Sequence, residues 1–329
     1  MIRPSRGRLA WSTLWAGVVL AACGGGGEET GALRADMVRD TTGSCEPPMV
    51  VGALPGPLLE ASGIARDPRD PGLFWVHNDS GNPAELYAID RHGRLREVVP
   101  TSGTTNRDLE DIAVGPCPDG TCLYVADIGD NLATYASIVV HRLPLPPLPA
   151  AAPADGATSS PETAAPIRPG VSWWFVYPGG PRDAESLAVD GTHRELIVVT
   201  KGREAVVDLY VAPLDGLRTD RERPNTLRRI GKLRIPVGGG TSQLVTAADL
   251  SPDGKRLVIR SYTTLYEFDW DGSAAFDTLA TPRHTSLLAA LEPQGEGVAF
   301  GDSGDTLWLV SEGRGGRPPS LSRMSCPAS

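Results

Sequence analysis

The chain has 329 residues, of which 31 are basic and 40 acidic, for a formal net charge of −9. That balance argues against nucleic acid or anionic lipid as a partner, because both reward a basic surface. It is compatible with binding a cation.

Residues 1–22 read as a targeting segment. Arg3, Arg6 and Arg8 give it a positive start, and residues 9–22 are apolar but fall short of the roughly 20 residues that a membrane span needs. The segment ends in "LAAC", which resembles a bacterial lipobox and implies cleavage before Cys23 and lipidation of its thiol. The alternative is an ordinary secretory signal with a chance Cys. The "GGGGEETG" that follows suits a flexible tether over residues 23–44. Gly24 stands where Asp would favour inner-membrane retention, so in a Gram-negative host the expected destination is the outer membrane or cell surface. Loss of residues 1–22 leaves 28 basic against 40 acidic residues, a balance of about −12. No second apolar run is long enough to span a bilayer. The expectation is an exported lipoprotein, monomeric, touching the membrane only through its anchor, with an unknown ligand or envelope partner.

Beyond Cys23 stand Cys45, Cys117, Cys122 and Cys326, an even count that suggests two disulfides in an exported chain. Three pairings are possible. "CPDGTC" favours Cys117 with Cys122, since Pro-Asp-Gly turns tightly, which leaves Cys45 with Cys326.

From residue 45 to residue 326 the chain repeats itself. "ASGIARDP" (61–68), "LEDIAVGP" (109–116), "AESLAVDG" (184–191), "AADLSPDG" (247–254) and "GEGVAFGD" (295–302) share one register. Each leads through a turn into a β-rich run: "GLFWVHND", "CLYVADIGD", "ELIVVTKG", "RLVIRSYT", "TLWLVSEG". A further strand candidate follows each run, and almost no helical periodicity is present. Four strands per repeat at this spacing predict an all-β chain folded as a single β-propeller. The intervals are 49, 75, 63 and 48 residues, and the longest contains the Pro- and Ala-rich segment 144–170, expected to be a disordered insertion within one blade. Five blades are predicted, with a degenerate sixth over 200–245 as the alternative. "EPPMVVGAL" (46–54) belongs to no repeat and is expected to complete the last blade, placing Cys45 beside Cys326.

The repeats align Ser62, Glu110, Glu185, Ala248 and Glu296, one per blade, at the start of the strand that lines the axis. Carboxylates converging there repel one another unless one protonates or a cation joins them. An oxygen-only shell favours Ca²⁺ or a similarly hard ion. The alternative is that each Glu accepts hydrogen bonds from a neighbouring blade as structural glue.

"SGIARDPRDPGLFWVHNDSG", "LEDIAVGPCPDGTCLYVAD", "AESLAV" and "GEGVAF" resemble the blade starts of the calcium-activated nucleotidases, the apyrase family. The resemblance implies a five-bladed propeller with a central Ca²⁺ held by Ser62, Glu110, Glu185 and Glu296, and by the backbone carbonyl of Ala248. "EGVAF" and "SGIA" also look like the secreted phytase-like and esterase-like propellers. Where nucleotidases carry Asp-Asp-Arg-Thr-Gly, this chain reads His77-Asn78-Asp79-Ser80-Gly81, so the acid and the Arg that serve nucleotide hydrolysis are unmatched.

The ends of the second strands supply a predicted ligand rim of His77, Asn78, Asp130, Asn131, Arg260, Tyr262 and Glu312. If the rim is catalytic, metal-assisted hydrolysis of a phosphate or ester is the natural class, with Asp79 or Asp127 as base and Lys201 neutralising an anionic substrate. "GDSG" (301–304) echoes a serine-protease motif but sits between two strands and reads as a β-turn.

Overall fold

The computed structural model describes residues 45–150, 162–203, 206–235 and 244–328. The targeting segment, the tether and Cys23 lie outside the described residues.

Strand β1 (Met49–Ala53) opens the described chain. Blade 1 follows as β2 (Ala61–Arg66), β3 (Leu73–Asn78), β4 (Glu85–Asp90) and β5 (Leu95–Pro100). Blade 2 is β6 (Leu109–Cys117), β7 (Gly120–Asp127) and β8 (Ile138–Pro144), then, past the short β9 (Glu162–Thr163), β10 (Val171–Val176). Blade 3 is β11 (Ala184–Asp190), β12 (Glu195–Thr200) and β13 (Val207–Pro213), then, past β14 (Asn225–Thr226), β15 (Arg228–Leu233). Blade 4 is β16 (Val245–Leu250), β17 (Arg256–Ser261), β18 (Thr264–Asp269) and β19 (Arg283–Ser286). Blade 5 is β20 (Gln294–Phe300), β21 (Thr306–Glu312) and β22 (Ser320–Ser325), completed by β1 as its outer strand. The protein is therefore an all-β, five-bladed propeller closed by its N-terminal strand, as the repeats predict.

The second strands of the blades are apolar on both faces because each blade is covered on both sides. The result is five apolar clusters, each bridging two neighbouring blades: 2 with 3, 3 with 4, 5 with 1, 4 with 5 and 1 with 2. A strand buried on both faces reads as a continuous apolar run rather than an alternating one. The innermost strands β2, β6, β11, β16 and β20 stand side by side around the axis, and β20 returns to β2.

Two expectations change. The stretch 200–245, the alternative home of a sixth blade, supplies the outer part of blade 3, while β14 adds a parallel edge to blade 2 beside β10. The insertion 144–170 does fall between two strands of blade 2, but its described flanks are packed. β9 pairs in parallel with β5, and Ala164 N–H and Ile167 N–H donate to Val98 and Pro100 carbonyls at 2.8 and 3.0 Å. Leu145, Ala164 and Ile167 give this flank its foothold, packing against the core between blades 1 and 2. Residues 151–161 lie outside the described residues. Among the described residues no helix is long and apolar enough to cross a membrane.

Both expected disulfides are present, Cys45–Cys326 and Cys117–Cys122. The first spans 281 residues and ties the two chain ends together beside the closing blade, whereas the second spans 5. On the chain-entropy view, losing the long link costs on the order of 5 kcal/mol and losing the short one about 2 kcal/mol. A Cys45→Ser, Cys326→Ser double variant is thus expected to denature at a clearly lower urea midpoint than the Cys117→Ser, Cys122→Ser variant. Equal midpoints would show that ring closure does not depend on the longer bridge.

Candidate functional site

Every inner strand breaks register with its neighbour at one place. The pairing of β2 with β3 slips between Ala61 and Ile64, β6 with β7 between Leu109 and Asp111, and β11 with β12 between Ala184 and Ser186. In blades 4 and 5 it slips between Val245 and Ala247 and between Gly295 and Val298. A bulge leaves its extra residue out of the ladder and re-aims that side chain. The residues so displaced are Ser62, Glu110, Glu185, Thr246 and Glu296. Blade 4 therefore offers Thr246, not the expected Ala248, at the equivalent position.

Four of these five, Ser62, Glu110, Glu185 and Glu296, line one polar cavity of ≈ 30 Å³ at the mouth of the channel. Asp79, Lys201, Tyr262 and Glu312 line it too, as expected, together with Glu60 and Gln294, which sequence reasoning missed. The volume suits an ion or a water molecule rather than an organic ligand. Glu110, Glu185 and Glu296 are only 4%, 2% and 7% exposed. Lys201 Nζ is paired with Glu185 Oε1. Gln294 Nε2 donates to Glu296 Oε1 at 2.7 Å and also to Glu312. On the other side, carboxylate oxygens of Asp79, Asp108 and Glu110 all lie within 4.8 Å of one another. Gly129 makes that trio possible, because a Cβ there would collide with the Glu110 and Asp108 carboxyls.

The hydroxyls have structural duties. Ser62 Oγ donates to the Glu110 carbonyl at 2.6 Å, and Thr246 Oγ1 to the Glu296 carbonyl at 2.8 Å, each tying one blade to the next.

Electrostatically the cavity is overloaded with negative charge. Burial, then the Glu185 charge, raises the Glu110 carboxyl well above its usual range, and Glu296 is raised for the same two reasons. Burial also raises Glu185, although Lys201 opposes it. Asp108 is pushed up to about 6 by burial and by Asp79, and Asp79 is itself raised by burial. Burial pulls the Lys201 ammonium down, but Glu185, Tyr262 and Glu110 more than offset it, so it stays protonated. One ammonium cannot neutralise so many carboxyls.

Several predicted rim residues are elsewhere. His77 is fully buried, its Nδ1 3.1 Å from the Asn78 carbonyl, and burial lowers its pKa to about 4. It packs against Gly63, where a Cβ would come within 2.6 Å of Nε2. Asn78 is buried between the Pro57 carbonyl and the Glu60 N–H. Asp127 is buried and held by Arg107 at 3.1 Å, away from the cavity, so it does not fill the role of base. Asp130 accepts from the Thr134 and Tyr135 N–H groups at 2.8 and 2.6 Å and shapes its own loop. Arg260 is completely buried, donating to the Gly297 and Val310 carbonyls and pairing with Glu292. Asn131 is exposed and accepts from Arg203. The buried ones are taken up locally: Asn78, Asp127 and Asp130 by the loops adjoining their own strands, and Arg260 by the carbonyls of the next blade.

Two further aspartates realise the structural-glue alternative. Asp111 accepts from Ile112 and Leu187 N–H at 2.9 Å each and from Ala248 N–H at 3.3 Å, joining blades 2, 3 and 4. Asp249 does the same for blades 4 and 5, accepting from Leu250 and Phe300 N–H at 2.8 and 2.7 Å. Asp249 stands at the level where the other blades carry Ala65, Ala113, Ala188 and Ala299. Those small side chains leave a cavity of ≈ 250 Å³ at the opposite end of the channel, lined in part by Ala65, Ala113 and Asp249.

Fold and site together define a class: a five-bladed propeller with a buried, carboxylate-rich mouth on its axis. No family model matches the chain, and no curated protein matches it. A solved gluconolactonase from Xanthomonas campestris is similar at 14% identity, over 88% of this chain and 99% of that chain, with a TM-score of 0.43. A likeness that slight bears on neither activity nor substrate.

Asp249 supplies a test of the staple. Burial pushes its carboxyl up to about 7, against the Phe300 and Leu250 hydrogen bonds and the Arg66 charge. The folded chain then holds this proton more tightly than the unfolded chain, so the group favours folding at low pH. That contribution is lost as pH rises from 3.8 to about 7. Asp249→Asn is expected to flatten this part of the pH dependence of the urea midpoint. A slope identical to that of the unmodified protein would overturn the assignment.

Proposed function

We propose that this chain is an envelope-tethered propeller whose axial mouth binds a divalent cation, Ca²⁺ above others, as the centre of a ligand-binding face. One observation carries the reading: three buried glutamates from three blades, with Asp79 and Glu312, share a cavity of ≈ 30 Å³ with a single ammonium. The donor set fits a hard ion. Apart from Lys201 Nζ and Gln294 Nε2, every polar side-chain atom lining the mouth is an oxygen, with no His or Cys among them. Glu110, Glu185 and Glu296, with Ser62, would hold the ion. Blade 4 contributes Tyr262 to the lining in place of a carboxylate. The lipid anchor at Cys23 rests on the "LAAC" sequence, and it would leave the propeller free to turn its mouth outward on the tether.

Metal analysis of the purified mature protein tests this directly. Ca²⁺ is expected to raise the melting temperature and a chelator to lower it. A ligand present at a hundred times its Kd contributes about 2.7 kcal/mol. Glu110→Gln and Glu296→Gln are each expected to weaken Ca²⁺ binding by about tenfold or more, since each removes a charged ligand. Absence of metal, together with unchanged melting in Ca²⁺ and in chelator, would overturn the reading.

A second reading, metal-dependent hydrolysis of a phosphate or ester, is favoured by Asp79. It lines the same cavity beside Lys201, and burial raises its carboxyl above the usual range, against the Ser80 hydrogen bond and the Lys201 charge. A bound Ca²⁺ would polarise the scissile group. Turnover of aryl phosphates and aryl esters is then expected to fall at least about a hundredfold in Asp79→Asn, the usual scale for a lost acid–base group. No turnover by the unmodified protein would leave binding as the function.

A further inference from the structure

A groove of ≈ 470 Å³ runs along blades 2 and 3, and its charge is opposite to that of the axial mouth. Arg182, Arg203, Arg229 and Lys232 line it against two carboxylates, Asp183 and Asp208, in a chain whose net charge is −9. The acids are already engaged: Arg203 pairs with Asp183, and Arg229 with Asp208 at 2.5 Å. Among the described residues neither Arg182 nor Lys232 has a carboxylate partner. Arg182 gives one N–H to the Pro181 carbonyl at 2.8 Å. The Tyr210 hydroxyl, on a buried ring, interacts with both Arg182 and Arg229. Behind it, Tyr177 packs edge-on at 4.9 Å, and its buried hydroxyl has no partner among the described residues. Arg182 and Tyr177 share a second cavity of ≈ 240 Å³. Leu132, Pro178 and Val206 add an apolar wall to the groove.

We infer that this groove is a receptor for a small organic oxyanion, its phosphate or carboxylate held by Arg182 and Lys232 with Tyr210 and its apolar body against Leu132 and Pro178. Arginine forks and a mobile ammonium are the donors that such groups take, and charge-assisted bonds are the strong ones. The aliphatic wall makes an organic anion a better fit than the bare ion. The inference does not depend on the axial cation. Thr200 lines the groove and Lys201 the axial cavity, so successive residues of one segment join the two sites.

The test is calorimetric titration of the mature full-length protein with phenyl phosphate, benzoate and inorganic phosphate, in chelator throughout so that the axial site plays no part. Phenyl phosphate or benzoate is expected to bind more tightly than inorganic phosphate, and the stronger of the two identifies the head group. Arg182→Ala and Lys232→Ala are each expected to weaken binding by about tenfold, the scale of one charge-assisted hydrogen bond. Arg91→Ala, an exposed cation on the turn between β4 and β5 that lines neither site, should leave binding unchanged. Lys232 is exposed and Arg182 half-buried, and an unchanged melting temperature would confirm that both variants fold. Absence of binding by all three probes, or undiminished binding in the double variant, would overturn the proposal.

Discussion

Everything in this molecule depends on five strands sharing one axis. Side chains that point inward there must be small, mutually bonded, or displaced to one end, and each solution is in use. Alanines narrow nothing at one level, and Gly63 lets His77 and the Ile112 backbone approach to 2.6 and 2.7 Å of where a Cβ would stand. Asp111 and Asp249 cross the axis and are absorbed by backbone N–H groups of neighbouring blades. Four of the five bulged residues are pushed to the mouth, and blade 4 supplies Tyr262 there instead of Thr246. The carboxylate before each strand thus answers two needs. Within the strand, as Asp111, it joins blades; at the bulge, as Glu110, it is left facing its counterparts.

That division explains why the two ends of the channel differ. At the alanine level a single acid is satisfied by two amide groups. At the bulge level the backbone has little left to give. The side-chain donors nearest the carboxyls are Lys201 and Gln294, and Gln294 is spread over Glu296 and Glu312. Buried carboxyls that lack donors must take up protons or attract a cation. Asp111 and Asp249 have backbone donors on neighbouring blades, whereas at the mouth Lys201 and Gln294 serve several carboxyls at once.

The repeat register made the fold legible, because a blade start is a short motif recurring once per blade and the leftover strand had only one place to go. The two disulfides followed from the same arithmetic. The site was legible only in part. Ala248 was aligned in place of Thr246, a slip of two residues, and in a strand such a slip returns every side chain to the same face. Alternation therefore could not reveal the error, and the bulges that decide the alignment have no composition of their own. The rim residues failed for a different reason. A polar residue at a strand end looks exposed in sequence, but in a propeller that end can be roofed by the next blade, as Arg260 is, or held by a neighbouring loop, as Asp127 is by Arg107. Asp108 was within reach, since it stands two residues before Glu110 and the carboxylates of the two lie within 4.8 Å of each other. Glu60 and Gln294 carried no signal beyond their neighbours.

The charge distribution gives the face its logic. An acidic axial mouth alone would repel an anionic ligand, and a basic groove alone would bind one without selecting its orientation. Here the two adjoin through consecutive residues, Thr200 in the groove and Lys201 in the mouth. With a cation at the centre, the field at the mouth is lowered where an anion would approach, while the Arg182 side remains positive. The acidic balance of the chain as a whole is therefore not a guide to its ligand. The sign of the lining changes between the groove on blade 3 and the axis, across the consecutive residues Thr200 and Lys201.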